Sequence, residues 1–308
     1  IWENQFKASL KQLNPTLPAS ALAEAFQKVI NLVTEHIMEN NERFHTMLTN
    51  GVTVEYSQDG RTKGINVMLM DVMNVERNSF WVVNQLVVKE NNYEKRFDVV
   101  IYINGLPLVF AELKSASDQK ATTRRAYQQI RNYKKATPSI FYYNAICIIS
   151  DGIDAKTSSL SAPFTRYLSW KAPLNKEAVA IDSEVEESVA ADVTTVYGGM
   201  TELQTLTKYM LDKETWVKLI RYCTVFEQEE MKDEKTGLIS QVKVKKVAAY
   251  HQYYSVQKAV EHTLRATHAE DGDRKVGVVW HTQGSGKSLS MVFYSGQIIT
   301  HPQMGNPT

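Results

Sequence analysis

The sequence predicts an α/β chain in two parts. A mixed sheet with flanking helices is expected over residues 1–170 and the start of a second α/β lobe over 246–308, with a helical connector at 171–245. Three observations carry this. Short β-branched or aromatic runs, broken by turn residues, fill residues 52–150 behind helical segments. Residues 171–198 show little periodicity and hold the acidic run IDSEVEESVAADV, which marks a boundary. The apolar run VGVVW at 276–280 then passes through a glycine-rich turn into a helix, the setting of a phosphate-binding loop.

Taken in order, residues 1–13 read as a short helix ended by Asn14-Pro15. Ser20 reads as the N-cap of a long amphipathic helix from Ala21 to about Leu48, on the spacing of Phe26, Ile30, Val33, Ile37 and Phe44, with Asn50-Gly51 as its stop. Strands are expected at VTVEY (52–56), INVMLMDV (65–72), SFWVVNQLVV (79–88), RFDVVIYI (96–103) and PLVFAELK (107–114). A polar helix from Asp118 to Ala136 stops before Pro138, and YNAICIIS (143–150) reads as a buried strand. Helices at about 201–211 and 214–228, a charged loop from Glu229 to Gly237 and a helix from His251 to Ala266 lead to the strand at 276–280 and a helix from Lys287.

The 308 residues suffice for roughly two domains of ~150 residues. With 35 basic against 34 acidic residues, net charge gives no argument for nucleic acid, so a DNA-binding surface must come from local clustering. Cys147 and Cys223 lie far apart and form neither a metal-ligand spacing nor a disulfide framework, which suits a reducing cytoplasm. No apolar run is long enough to span a membrane, and no signal peptide opens the chain. A first residue Ile1 and a last pair Pro307-Thr308 just after the phosphate loop mark the chain as an expected piece of something longer.

The stretch RFDVVIYINGLPLVFAELKSA, residues 96–116, is the most informative. Two apolar strands flank Asn104-Gly105, a strong hairpin turn signal. Glu112 and Lys114, two apart, share one face of the second strand, and Asp98 lies on its partner. Charge in a core strand is costly unless it is paired or binds metal. Two carboxylates suit Mg²⁺, a hard cation, and a lysine beside them suits developing negative charge or an attacking water. A plain two-residue turn would set Asp98 opposite Ala111, facing away from Glu112. An odd-length loop, such as a glycine bulge at Gly105, would bring the two carboxylates to one face. The same residues also fit a surface hairpin with Glu112 and Lys114 as a solvated pair. On the helix that follows, Arg124, Gln128, Arg131 and Lys135 fall on one side, fit to track a phosphate backbone, and Gln129 and Tyr133 form a second row.

Asp98, then Glu112-Leu113-Lys114, then Gln129-x-x-x-Tyr133 resembles the PD-(D/E)xK nuclease core with the QxxxY extension of RecB-like nucleases. The phrase FDVVIYINGLPLVFAELKSA is similar to the corresponding segment of the R subunits of Type I restriction-modification enzymes, and NQLVV and ISDG…SW fit the same family. Phe97 stands where the family usually has Pro. The resemblance implies a restriction-endonuclease-like fold, metal binding by Asp98 and Glu112, a catalytic Lys114, and Gln129 and Tyr133 beside the site. It also implies a further acid from the N-terminal helices, for which Glu24 is a candidate.

In VGVVWHTQGSGKSLSM, residues 276–291, the backbone from Gly284 through Ser285 and Gly286 would cradle phosphates. Lys287 would reach the β- and γ-phosphates of ATP, and Ser288 would ligate Mg²⁺. His281 stands where the first glycine of a full Walker A loop belongs, as is common in superfamily 2 motors; a bare Gly/Ser loop is the other reading. Gln252, in AYHQYYSV, resembles the family's Q motif and would read the adenine edge, in a RecA-like lobe. His251 and His281 are expected to pack or cap. No acidic Walker B motif follows, so this stretch by itself is expected to bind nucleotide weakly without hydrolysing it. The order, nuclease first and motor second, fits a Type I R subunit that translocates and cuts duplex DNA with modification and specificity subunits. The alternatives are a RecB-type repair nuclease-helicase and a non-catalytic assembly module.

Overall fold

The computed structural model describes residues 1–32, 34, 36–58, 61–115, 122–173, 200–232, 239–268, 272–280 and 282–305. Val33, the start of the helix expected from Asp118, the acidic run at 181–193, most of the loop to Gly237, and His281 lie outside them. The chain packs as two units, Ile1–Leu168 with Thr224–Val247, and Ser169–Cys223 with Ala248–Thr308.

In the first unit, α1 (Glu3–Leu13) buries Phe6, Leu10 and Leu13, one helical stripe. The single helix expected from Ala21 to Leu48 is instead two, α2 (Ala19–Ile30) and α3 (Ile37–Asn50). Pro18, not Ser20, is the N-cap. The break has a local cause that apolar spacing cannot report. Asn40, near the start of α3, accepts from the Thr34 N–H (3.1 Å) and donates to the Thr34 carbonyl (2.8 Å), which takes both backbone groups of Thr34 away from a helical ladder. Strands β1 (Val52–Gln58) and β2 (Arg61–Val67) form a separate hairpin. The strand expected to run to Val72 stops at Val67, because the Asn14 amide takes both the N–H and the carbonyl of Met68.

Among the described residues six strands form one sheet, in the order β3 (Phe80–Glu90), β4 (Tyr93–Ile103), β5 (Leu106–Leu113), β6 (Ile146–Ser150), β7 (Ala155–Ser158) and β8 (Leu168–Ser169). β5 is antiparallel to β4 and parallel to β6, so the sheet is mixed. The helix α4 (Thr123–Ala136), capped by Thr122, crosses between β5 and β6 and packs Ala126, Ile130 and Tyr133 against Phe97, Phe110 and Phe141. YNAICIIS is strand only from Ile146; residues 138–143 form 3-10 turns begun by Pro138. The Asn104-Gly105 turn is plain, with φ of 53° and 81°. It is buried under α1, and a Cβ at Gly105 would meet the Phe6 N at 2.5 Å and the Trp2 O at 2.8 Å.

The helix expected over 214–228 ends at Tyr222. Strands β9 (Thr224–Lys232) and β10 (Ile239–Val247) follow as an antiparallel hairpin in the first unit, almost all of it within the 171–245 span expected as a helical connector. Glu-rich composition favours a helix, but cross-strand pairing decides: Lys246 pairs with Glu227 and Glu229, and Lys243 with Glu42 on α3. Lys245 goes inward. Its ammonium donates to Asn41 Oδ1 (3.1 Å) and the Asn144 carbonyl (2.8 Å), and burial pushes its pKa down to about 7, partly opposed by Cys147. Between about pH 7 and 10.5 the unfolded chain therefore holds a proton that the folded protein lacks. This group alone makes stability rise across that window, by at most roughly 1.4 kcal/mol per pH unit, while above about pH 9 the buried thiols and tyrosines, raised by burial, pull the other way. Urea melts between about pH 7 and 8.5 should show a slope in wild type that is flattened in Lys245→Met; an unchanged slope would place the ammonium in water.

In the second unit, a turn of α-helix (α5, Glu202–Thr205) runs into a π-helical turn (Leu206–Met210), followed by α6 (Lys213–Tyr222), α7 (Tyr250–Ala266) and α8 (Lys287–Thr300). VGVVW, expected as a strand, is not one. Val278 and Trp280 are about nine-tenths exposed, and among the described residues of this unit no strand lies alongside to complete a ladder. Among the described residues, no helix is long and apolar enough to cross a membrane.

Candidate functional site

Asp98 and Glu112 come together by a route other than a glycine bulge. The ladder pairs Ile103 with Leu106 and Tyr102 with Pro107, then shifts to Ile101 with Val109 and Val99 with Ala111. Leu108 is the extra residue. Its carbonyl turns away to accept from the Ala145 N–H (2.7 Å), next to a proline that has no N–H for the ladder. Continuing the shifted register sets Asp98 opposite Glu112. Asp98 Oδ2 accepts from the Leu113 N–H (2.9 Å), and Asp98 Oδ1 accepts from Gln85 Nε2 (3.2 Å).

Glu112 is 2% exposed on the central strand, and its Oε1 lies 2.5 Å from Lys114 Nζ. The Glu112 carboxyl is pushed up to about 7, first by burial, then by the charge and hydrogen bond of Asp98, against the pull of Lys114. A solvated surface pair would not show this burial. A buried carboxyl set beside a half-buried one makes a pair of hard oxygen donors short of positive charge, which a divalent cation would supply. Among the described residues no group of three His, Cys, Asp or Glu side chains completes an all-protein metal cage. Glu24 pairs instead with Lys28, at 2.7 Å.

From α4, Gln129 donates to the Tyr133 hydroxyl (2.9 Å), which donates to the Arg96 carbonyl (2.7 Å) two residues before Asp98. Burial raises the Tyr133 hydroxyl to about 12, with Glu112 and Asp98 among the lesser causes, so all five expected residues share one neighbourhood. Phe97 is 2% exposed and its ring lies 4.5 Å from that of Tyr133, filling core where the family's Pro would leave space. On the outer side of the helix Arg124, Arg125, Gln128, Arg131 and Lys135 are exposed. Gln85 went unnoticed in the sequence; a glutamine on an exposed strand position carries no signal there.

In the second unit Gly284 and Gly286 both have φ of 81°, and α8 starts at Lys287 with no side-chain cap. Its first N–H groups thus point from a helix end toward the loop, with Lys287 and Ser288 exposed. Gln252 is buried: it accepts from the Ala249 N–H (3.0 Å) and donates to the Gly286 carbonyl (3.1 Å). Its amide clasps the loop, so reading an adenine edge would require it to let go. His251 meets the Ser285 carbonyl at 3.2 Å, a packing role.

A sequence model of the family described as Type I restriction enzyme R protein N terminus matches residues 1–166, and one described as SWI2/SNF2 ATPase matches residues 251–308. The chain is 38% identical over 311 residues to the Type I restriction enzyme HindI endonuclease subunit of Haemophilus influenzae, with all of this chain and 27% of the relative covered. It is 30% identical over 312 residues to a Methanocaldococcus jannaschii protein provisionally named the type I restriction enzyme MjaIXP endonuclease subunit, again over all of this chain and 28% of the relative. The chain thus spans little more than a quarter of the length of the curated relatives it matches. By this match over more than half its length, the chain belongs to the family of Type I restriction enzyme R protein N termini.

Proposed function

We propose that the first unit hydrolyses DNA phosphodiesters with Mg²⁺ and that the second begins an ATP-driven duplex DNA translocase, together part of a cytoplasmic Type I restriction endonuclease R subunit. The observation that carries the nuclease reading is the buried Glu112 carboxyl beside Asp98, with Lys114 against it. Asp98 and Glu112 would hold the metal, which when bound polarises the phosphate and acidifies water. Lys114 would steady charge developing on the phosphate or orient the water. Tyr133 and Gln129 would brace β4 behind Asp98 through the Arg96 carbonyl, and the exposed basic face of α4 would track the backbone of duplex DNA. Gly284, Ser285, Gly286 and Lys287 would cradle the phosphates of ATP, with Ser288 on its Mg²⁺ and Gln252 setting the loop. Modification and specificity subunits, which the family implies, would supply sequence recognition.

The test is the metal dependence of the full-length protein assembled with those subunits. Cleavage in ATP is expected with Mg²⁺ or Mn²⁺ and to stop on chelation. Cleavage that persists when metal is stripped would overturn the nuclease assignment.

A further inference from the structure

Gln85 sits in the middle of β3 with φ of 52°, a left-handed conformation that a residue with a Cβ rarely adopts in a strand. The ladder pairs Asn84 with Val99 and Leu86 with Phe97, and the level between them holds Gln85 and Asp98. Both strands slip there together. On β3 the core-facing residues are Val83, then Leu86 and Val88; on β4 they are Phe97, then Val100 and Tyr102. The step of three in each strand, instead of two, means that each carries one extra residue at the same height, so pairing stays in register while the sidedness resets. The pair set at this kink is bonded side chain to side chain, Gln85 Nε2 to Asp98 Oδ1.

We propose that Gln85 is a positioning residue for the Asp98 carboxylate. This deepens the nuclease reading and rests on it. A carboxylate held at one oxygen can swing about its Cβ–Cγ bond. Asp98 is held at both, Oδ2 by the Leu113 N–H and Oδ1 by the Gln85 amide, and each oxygen keeps a lone pair for a hard cation. The strained backbone is what brings the Gln85 amide to that oxygen, and strain kept at such a place commonly serves a site.

The experiment separates backbone from side chain. Gln85→Gly keeps the left-handed kink at no steric cost and removes the amide. Gln85→Asn also tolerates the kink but falls one methylene short. In the full-length protein both are expected to melt no lower than wild type. Mn²⁺ binding, measured by calorimetry without DNA or nucleotide, is expected to weaken by roughly 10- to 100-fold. The Mg²⁺ concentration for half-maximal cleavage should rise to match, and the rate at saturating Mg²⁺ should recover. Gln85→Gly binding Mn²⁺ like wild type would overturn the proposal and leave Gln85 as a bend in the sheet. Asp98→Ala tells the two readings apart. If it loses Mn²⁺ binding and cleavage while Gln85→Gly keeps both, only the role of Gln85 falls. If Asp98→Ala keeps both, the nuclease reading falls with it.

Discussion

Lys114→Ala, in the full-length protein assembled with its partner subunits, is expected to cut DNA roughly 100- to 1,000-fold more slowly and to hydrolyse ATP at the wild-type rate. The Lys114 side chain is 27% exposed and lies on the Glu112 carboxyl, so it forms the open edge of an otherwise buried pair. Removing it takes away the cation that the nuclease reading sets beside the reacting phosphate and leaves Glu112 beside Asp98 with less to oppose its protonation. The backbone has little reason to move, because the Lys114 N–H still donates to the Ser150 carbonyl. Retained ATP hydrolysis serves as the control for folding. If Lys114→Ala cuts like wild type, the nuclease site has been misplaced, and the first unit is better read as an assembly or DNA-docking module.

Lys287→Ala is expected to abolish both ATP hydrolysis and cleavage, each by roughly 100-fold or more. The N-terminus of α8 has no side-chain cap and carries a partial positive charge, which suffices to attract phosphate but not to neutralise it. The lysine at the first helical position supplies the full charge. Cleavage falls with hydrolysis because the proposed cut follows translocation. Together the two variants make an asymmetric pair, one sparing the motor and one stopping both activities. Wild-type ATP hydrolysis by Lys287→Ala would reduce the GSGKS run to an ordinary glycine-rich loop.

Much of this was legible in the sequence because it depends on neighbours along the chain. The Asn104-Gly105 turn, the apolar strands on either side of it, Gln129 and Tyr133 one helical turn apart, and the helix starting at Lys287 all follow from local conformational preference and short-range spacing. These features, with the resemblance to PD-(D/E)xK nucleases and Type I R subunits, put forward the five residues proposed for the first site and the loop proposed for the second. Local reading also went wrong where local preference was outvoted. Apolar spacing continued past Ile30 although Asn40 takes both backbone groups of Thr34 out of a helical ladder, and the Glu-rich run after Tyr222 joined a hairpin because Lys243 and Lys246 stand across from its acids and from Glu42.

Only the tertiary structure decided which way Asp98 faces. The alternation of a strand specifies a side only relative to a register, and one extra residue anywhere in the hairpin reverses it. That residue is Leu108, released from the ladder by a bond to Ala145, which lies on the far side of α4 in the sequence. The left-handed kink at Gln85 likewise has no local signature, since it answers to the core positions of two strands at once. The sequence thus determined which residues are put forward for the chemistry. Their convergence was decided by hydrogen bonds and packing between segments far apart in the chain, which no local pattern records.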